Sequence, residues 1–146
     1  MNRVKLKILP DEFSVYRFPP DTEIPPEVLK GQLYFIGKTN NELSIICSSR
    51  YDSTLSNSRS SCSNCSKPQP SARTPGRKVE RGWSCIEVLG PLDFGITGLL
   101  SGIASHLAEH KISILAQSTF DTDYIFFKSS KLNKAAAVLK NAGYIF

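Results

Sequence analysis

The stretch "WSCIEVLGPLDFGITGLLSGIASHLAEHKISILAQSTFDTDYIFF", residues 83–127, contains a strand, a helix and a hairpin in succession. "WSCIEVL" is apolar and β-branched enough to predict a strand. The helix is predicted from apolar residues at helical spacing, which are Ile96, Leu99, Leu100, Ile103, Ala104 and Leu107. Asp93 is placed to cap its N-terminus. "ISILAQST" and "YIFFKS" predict two strands joined by a short polar turn at 121–123.

The residues after this stretch complete a recognisable order of elements. "SKLNKAAAVLKNAG" predicts a second helix, with Ser130 as its cap and Gly143 as its stop. The final "YIF" can add a short strand. The order βαββαβ, with both helices on one face of a sheet, predicts an α+β, ferredoxin-like fold for residues 79–146.

Residues 1–49 predict a smaller module built from short strands. "VKLKILP" and "FSVYRF" flank the turn "PDE", and "QLYFIGK" and "ELSIICS" flank "TNN", so two hairpins are expected. Between them "PPDTEIPPEVLKG" has four prolines, and only "PEVLK" can form a turn or two of helix before Gly31. This module is incomplete, because it offers no long helix.

Residues 50–78 differ sharply in composition from both flanks. They are rich in Ser, Pro and Arg and contain almost nothing to bury, so we expect a disordered insert. Residues 50–81 hold seven basic and two acidic side chains, which is the whole formal charge of +5. The flanks are neutral, which argues against a nucleic-acid partner.

Other functional classes find little support in the sequence. Acidic residues follow the N-terminus before any long apolar run, and no segment could span a bilayer, so we expect a cytoplasmic protein with no membrane partner. Cys47 and Cys85 lie in strand-like apolar settings and are expected to be buried and reduced. No nucleophile and base can be paired, and neither an enzyme nor a cofactor is predicted.

Two motifs have the spacing of metal ligands but are better explained without a metal. "CSNC" at 62–65 has the spacing of half a zinc ribbon, and no second half occurs. His106 and His110 lie four residues apart on the predicted helix. His106 borders its apolar stripe, and His110 lies at its C-terminus, where the helix dipole favours a histidine. No metal site is predicted.

Two turns could bind the ends of a small zwitterion. In "GPLDFGITG", 90–98, the backbone N–H groups of Gly95, Ile96 and Thr97 start the helix and could hold a carboxylate, although the spacing lacks a dinucleotide fingerprint. At the hairpin, Asp121 is explained by turn chemistry alone. Asp123, beside Phe120, either belongs to the turn or receives a ligand's ammonium or guanidinium.

The segment 90–127, with "GPLDF" and "STFDTDYI" as its most specific parts, resembles the ACT domain. It is most similar to the tandem-ACT group, which is related to cytosolic arginine sensors and to aspartate kinase regulatory domains. "LKILPDEFSVYRFPPDTEIP", "LYFIGKTNNELSIIC" and "VERGWSCIEV" resemble other parts of that group, so the likeness covers nearly all of the chain except about 50–78. The insert is longer than the junction that the group leads one to expect.

The resemblance implies a non-catalytic regulatory protein that binds an amino acid at an interface between ACT units, within the chain or across a homodimer. It assigns the ligand's backbone groups to Leu92, Asp93, Phe94 and Gly95. It assigns the ligand's side chain to Thr119, Phe120 and Asp123. An alternative is an ACT-fold interaction module without a ligand, and an RNA-binding module is a weaker one because the halves are neutral.

Overall fold

The computed structural model describes residues 4–57, 77–90 and 98–146. Short 3₁₀ turns occupy Val28–Lys30, Ser49–Tyr51 and Ser129–Lys131. The strands are β1 (Leu6–Ile8), β2 (Phe13–Phe18), β3 (Tyr34–Lys38), β4 (Leu43–Ser48), β5 (Lys78–Val88), β6 (Leu115–Ser118) and β7 (Asp123–Lys128). The helices are α1 (Asp52–Ser56), α2 (Leu99–Glu109) and α3 (Leu132–Asn141).

The chain forms two compact units, and the first is discontinuous in sequence. The C-terminal unit combines Met1–Glu12 with Gly82–Phe146, and the central unit is Phe13–Arg81. The predicted hairpin around "PDE" is wrong, because β1 pairs antiparallel with β5, Leu6 lying opposite Val88. Residues 4–12, which the sequence places in the N-terminal module 1–49, therefore fold with the C-terminal unit.

The C-terminal unit packs two helices against antiparallel strands in the order β1, β5, β7, β6. Its core joins side chains of β5 and β7 to one face of each helix: Ile86, Val88, Ile125, Phe127, Ile103, Leu107, Ala135 and Leu139. This confirms the mixed fold of sheet and helices predicted for 79–146. In place of a final strand, Ile145 forms a single parallel bridge with Lys5.

The helix ends agree in part with the predicted caps. Helix α2 begins after Gly98, whose φ of 81° is readily adopted by glycine, and the predicted cap Asp93 lies outside the described residues. Ser130 is not the cap of α3, because it lies in the preceding 3₁₀ turn. Gly143, with φ of 97°, follows the end of α3 as predicted.

The central unit contains β2, β4 and β3 in antiparallel order, which confirms the second predicted hairpin. The prediction that disorder begins at residue 50 is wrong. Residues 49–56 form a 3₁₀ turn followed by α1, and Leu55 is fully buried in the core cluster that includes Tyr16, Phe18 and Ile45. The burial of Leu55 stabilises this segment, for which the sequence analysis had found almost nothing to bury. Residues 58–76, with the "CSNC" motif, lie outside the described residues.

Each unit contains a hydrogen bond between two serines, one on a strand and one in the 3₁₀ turn that precedes a helix. Ser14 on β2 shares a hydrogen bond with Ser49 (2.8 Å between hydroxyl oxygens), and Ser84 on β5 donates to Ser129 (2.9 Å). In each unit the first serine lies on the first long strand and the second opens a 3₁₀ turn. The units therefore repeat one local arrangement.

Tyr16 joins the sheet of the central unit to α1. Its fully buried ring places the hydroxyl to donate to Asp52, which also accepts from Arg81 (Nε to Oδ2, 2.8 Å). We expect Tyr16→Phe to lower the free energy of unfolding by about 1.5–3 kcal/mol, because a hydrogen bond to a charged group is lost. Urea denaturation measures it. Tyr34→Phe is the matched control, because Tyr34 is half-buried against the same core, and an equal loss there would show that the bond to Asp52 is not the cause.

Candidate functional site

The predicted binding residues fall into two groups that the structure treats differently. Leu92, Asp93, Phe94 and Gly95 lie outside the described residues, which stop at Gly90 and resume at Gly98. Thr119, Phe120 and Asp123 belong to the β6–β7 hairpin of the C-terminal unit. The geometry of the site is therefore built from the hairpin and the end of β5.

A threonine at each end closes the hairpin turn. The N–H of Thr119 donates to the carbonyl of Thr122 (2.8 Å), and the Thr122 N–H donates to Oγ1 of Thr119 (3.2 Å). The Thr122 hydroxyl is buried and donates to the Val88 carbonyl at the end of β5. These bonds hold the turn against β5, so the tip has a defined position.

Of the two hairpin residues with the most specific predicted roles, Phe120 lies within this turn and Asp123 directly follows it. Phe120 is 79% exposed at the tip, which is rare for a phenylalanine side chain. Asp123 is half-buried at the start of β7, where its carboxylate accepts a hydrogen bond from the Ser118 hydroxyl across the hairpin. Its second oxygen leaves capacity for a further donor.

An open groove of about 470 Å³ lies between the end of β5 and the hairpin. It is lined by Glu87, Gly90, Thr119, Asp121, Thr122 and Tyr124. Thr119 is thus the one described member of the predicted set that lines it. Asp121, which the sequence explains by turn chemistry alone, lines it as well. Gly90 is the first residue of the "GPLDFGITG" segment, so that segment starts at the groove.

The groove is acidic. Glu87 and Tyr124 are direct partners in the β5–β7 register, and the Tyr124 hydroxyl donates to Glu87 Oε1 (3.2 Å). Burial, the negative charge of Glu87 and this hydrogen bond raise the pKa of Tyr124. Among the described residues, the lining has two carboxylates, Glu87 and Asp121, and no basic side chain. Such a lining favours a cationic group in contact with it.

The histidines and cysteines form no comparable site. His106 packs edge-on against Tyr144. The exposed His110 forms a hydrogen bond from Nδ1 to the His106 carbonyl (2.9 Å). Burial raises the pKa of the Cys47 and Cys85 thiols to about 12, so neither ionises at neutral pH and the prediction of buried thiols is confirmed for these two. The described residues hold no cluster of three or more potential metal ligands.

Sequence patterns could have found part of this lining. Glu87 is the one charged residue in "WSCIEVL", and a lone charge on an apolar strand marks a face that is open to solvent. Its proximity to Tyr124 depends on the pairing register of β5 with β7, which a single sequence does not give.

The C-terminal unit belongs to the class of mixed α/β domains in which two helices pack on an antiparallel sheet. Its groove lies where a hairpin meets the strand before the first helix. Residues 78–141 match the family model described as the ACT domain. A crystal structure of a protein from Agrobacterium tumefaciens is 32% identical, and the match covers 99% of this chain and 92% of that one, with a TM-score of 0.75. Residues 78–141 of this chain therefore belong to the ACT-domain family.

More distant solved structures share the fold. Aspartate kinase from Clostridium acetobutylicum is 10% identical with a TM-score of 0.68, and the match covers 97% of this chain and 35% of that one. The regulatory subunit of aspartate kinase from Thermus thermophilus is 7% identical with a TM-score of 0.63, covering 96% and 98%. No curated protein matches the sequence. Across the described parts of the chain, no helix has the length and apolar character to cross a membrane.

Proposed function

We propose that this protein is a non-catalytic regulatory protein that binds an amino acid at an interface between ACT units. The interface lies within the chain, with the central unit as a second ACT-like module, or across a cytoplasmic homodimer. The observation that carries the proposal is the open acidic groove in the segment that matches the ACT domain. The similarity to a regulatory subunit of aspartate kinase supports a regulatory role.

The hairpin and the β5–α2 connection divide the recognition of the ligand between them. Backbone N–H groups along Leu92, Asp93, Phe94 and Gly95 hold the ligand's carboxylate. Asp123 pairs with its cationic group, and the exposed ring of Phe120 packs on its aliphatic stem.

The groove adds two groups to this assignment. These are the carboxylates of Glu87 and Asp121, close to the hairpin turn, and Thr119 also belongs to the lining. A ligand cation can therefore be met from β5 and from the hairpin together. A charge-assisted hydrogen bond at such a site contributes about 1.5–3 kcal/mol, so the loss of one carboxylate is measurable.

A thermal-shift screen with the twenty amino acids and with polyamines tests this function. A ligand at a hundredfold excess over its Kd stabilises the folded chain by about 2.7 kcal/mol. We expect one amino acid to do so and Asp123→Asn to reduce the shift, whereas Asp21→Asn, on an exposed residue of the central unit, leaves it intact.

Two results contradict the proposal. The first is the absence of a shift with every amino acid, which would favour an interaction module without a ligand. The second is a ligand whose shift is unchanged in each of Asp123→Asn, Asp121→Asn and Glu87→Gln, because binding would then occur away from both the hairpin and the groove.

A further inference from the structure

Strand β3 is the outer strand of the central unit. Within the described parts of the chain it pairs with β4 alone, from Tyr34 opposite Cys47 to Lys38 opposite Leu43. Its other edge therefore carries backbone N–H and C=O groups without a strand partner. Such an edge is a template for a further β-strand.

The β3–β4 hairpin shows which backbone groups point outward. The Thr39 N–H donates to the Glu42 carbonyl (2.9 Å), so it points toward β4. In an antiparallel pair this direction alternates from one residue to the next. The N–H and C=O groups of Lys38, Ile36 and Tyr34 therefore point to the outer edge of β3.

The side chains of β3 do little to block this edge. Natural proteins protect an exposed edge strand with a proline, a central charge or a bulge. The strand has no proline, its register with β4 is continuous, and its one charged residue, Lys38, lies at its end. Its central residue, Ile36, is apolar and 37% exposed. The centre of the edge is therefore an apolar surface beside outward-pointing backbone groups.

Gly37 is a second unusual feature of this strand. Glycine weakens a strand, and where no bulge is present it often marks a place that another chain approaches closely. A Cβ added at Gly37 would meet no atom within 4 Å, so the space beside this residue is open. Phe35, two positions earlier, lies on the same face of the strand. A large ring and an open space thus follow each other along one face of β3.

These features make β3 complementary to itself about a two-fold axis at Ile36. Antiparallel pairing of two copies places Ile36 opposite the partner's Ile36, and Phe35 opposite the partner's Gly37. Tyr34 then lies opposite the partner's Lys38. Because the backbone groups of Ile36 point outward, Phe35 and the partner's Gly37 form a pair without hydrogen bonds, the kind in which side chains approach most closely. Each phenylalanine ring can fill the space beside the partner's glycine.

The charges of β3 permit the same arrangement. The two Lys38 residues lie four positions apart along the joined strands, about 13 Å, which exceeds the screening length of about 8 Å at physiological ionic strength. Each Lys38 lies opposite a tyrosine ring, which attracts a cation. Strand β6, the outer strand of the C-terminal unit, has no glycine and no exposed large apolar side chain. The self-complementary pattern is therefore a property of β3.

We infer that two copies of this chain associate by antiparallel pairing of β3 with the partner's β3, about a two-fold axis at Ile36. The pairing forms about six backbone hydrogen bonds, two for each outward-pointing pair. A contact of one strand per chain is small, so we expect a dissociation constant of roughly 1–100 μM. The inference does not rest on the proposed ligand site, and it identifies the contact surface of a homodimer.

Sedimentation equilibrium of the full chain, at concentrations on both sides of this range, tests the inference. We expect the wild-type mass to rise from 16.2 kDa toward twice that value. Ile36→Lys places like charges directly opposite each other, and it should weaken association at least about tenfold. Ala116→Lys, on an exposed residue of β6, is the matched control and should leave association unchanged.

A mixture of two variants tests the position of the two-fold axis. Ile36→Glu should also fail to associate with itself. It should associate with Ile36→Lys, because opposite charges then lie opposite each other across the axis. A mixed dimer of this kind cannot result from misfolding of either variant.

Four results overturn the inference. They are a wild-type chain that stays at 16.2 kDa throughout, a dimer that Ile36→Lys leaves intact, an equal loss of association in Ala116→Lys, and the absence of a mixed dimer. None of them changes the outcome of the thermal-shift screen, so this inference and the proposed ligand binding can fail separately.

Discussion

Phe127→Ala is expected to lower the free energy of unfolding by about 3–5 kcal/mol, the cost of removing a fully buried aromatic ring. Phe127 lies on β7 with no exposed surface, in the core between the sheet and helices α2 and α3 of the C-terminal unit. Such a loss is a large part of the 5–15 kcal/mol that stabilises a typical domain. Urea denaturation followed by circular dichroism measures it.

Phe120→Ala is the matched control on the same hairpin. The ring of Phe120 is 79% exposed, so its removal is expected to change the free energy of unfolding by at most about 0.5 kcal/mol. Equal effects of the two substitutions would contradict the burial described for β7. A small effect on stability also makes Phe120→Ala suitable for ligand-binding experiments.

Leu55→Ala is expected to cost about 2–4 kcal/mol, although α1 has only five residues. Leu55 is fully buried in the core of the central unit, in the same cluster as the β-strand residues Phe18 and Ile45. If residues 50–57 instead belonged to a disordered insert, this substitution would have almost no effect. The free energy of unfolding therefore decides directly between the two descriptions of this segment.

Ser53→Ala is the control for Leu55→Ala, because Ser53 is exposed on the same short helix. Alanine favours helix slightly more than serine, so we expect a change within about 0.5 kcal/mol. A loss as large as that of Leu55→Ala would indicate that α1 itself, and not the buried contact, determines the stability.

Local patterns predicted the C-terminal unit well. The apolar stripe of α2 and the run of large apolar residues in β7 are strong signals, and Ile103, Leu107 and residues 125–127 are buried as these patterns lead one to expect. Gly143 also ends α3 as predicted. These features depend on residues close together in sequence, so one sequence suffices to find them.

Pairing between distant segments could not be predicted. The turn "PDE" suggested that β1 pairs with β2, whereas Leu6 lies opposite Val88. Leu55 was missed for the same reason, because a single leucine in a polar stretch shows no period, and its burial depends on the sheet beneath it. Glu87 becomes a site residue only when β5 and β7 are in register.

The internal repeat was also hidden in the sequence, because it is one of positions and hydrogen bonds. Ser14 and Ser49 repeat as Ser84 and Ser129, but the residues that matter most for binding differ between the units. Arg17 corresponds to Glu87, an exchange of charge that sequence similarity would count as a mismatch. The β6–β7 hairpin is therefore the candidate site, and the β3–β4 hairpin of the same chain serves as the control in binding experiments.

A two-dimensional ¹H–¹⁵N NMR titration of the uniformly labelled chain, with the amino acid that gives the largest thermal shift, tests the central claim most directly. The account predicts saturable shifts of the amide signals of Glu87 and of residues 119–124, with the signals of residues 39–44 unchanged. Saturable shifts confined to residues 39–44 or to other surfaces, or no saturable shift at all, would contradict it.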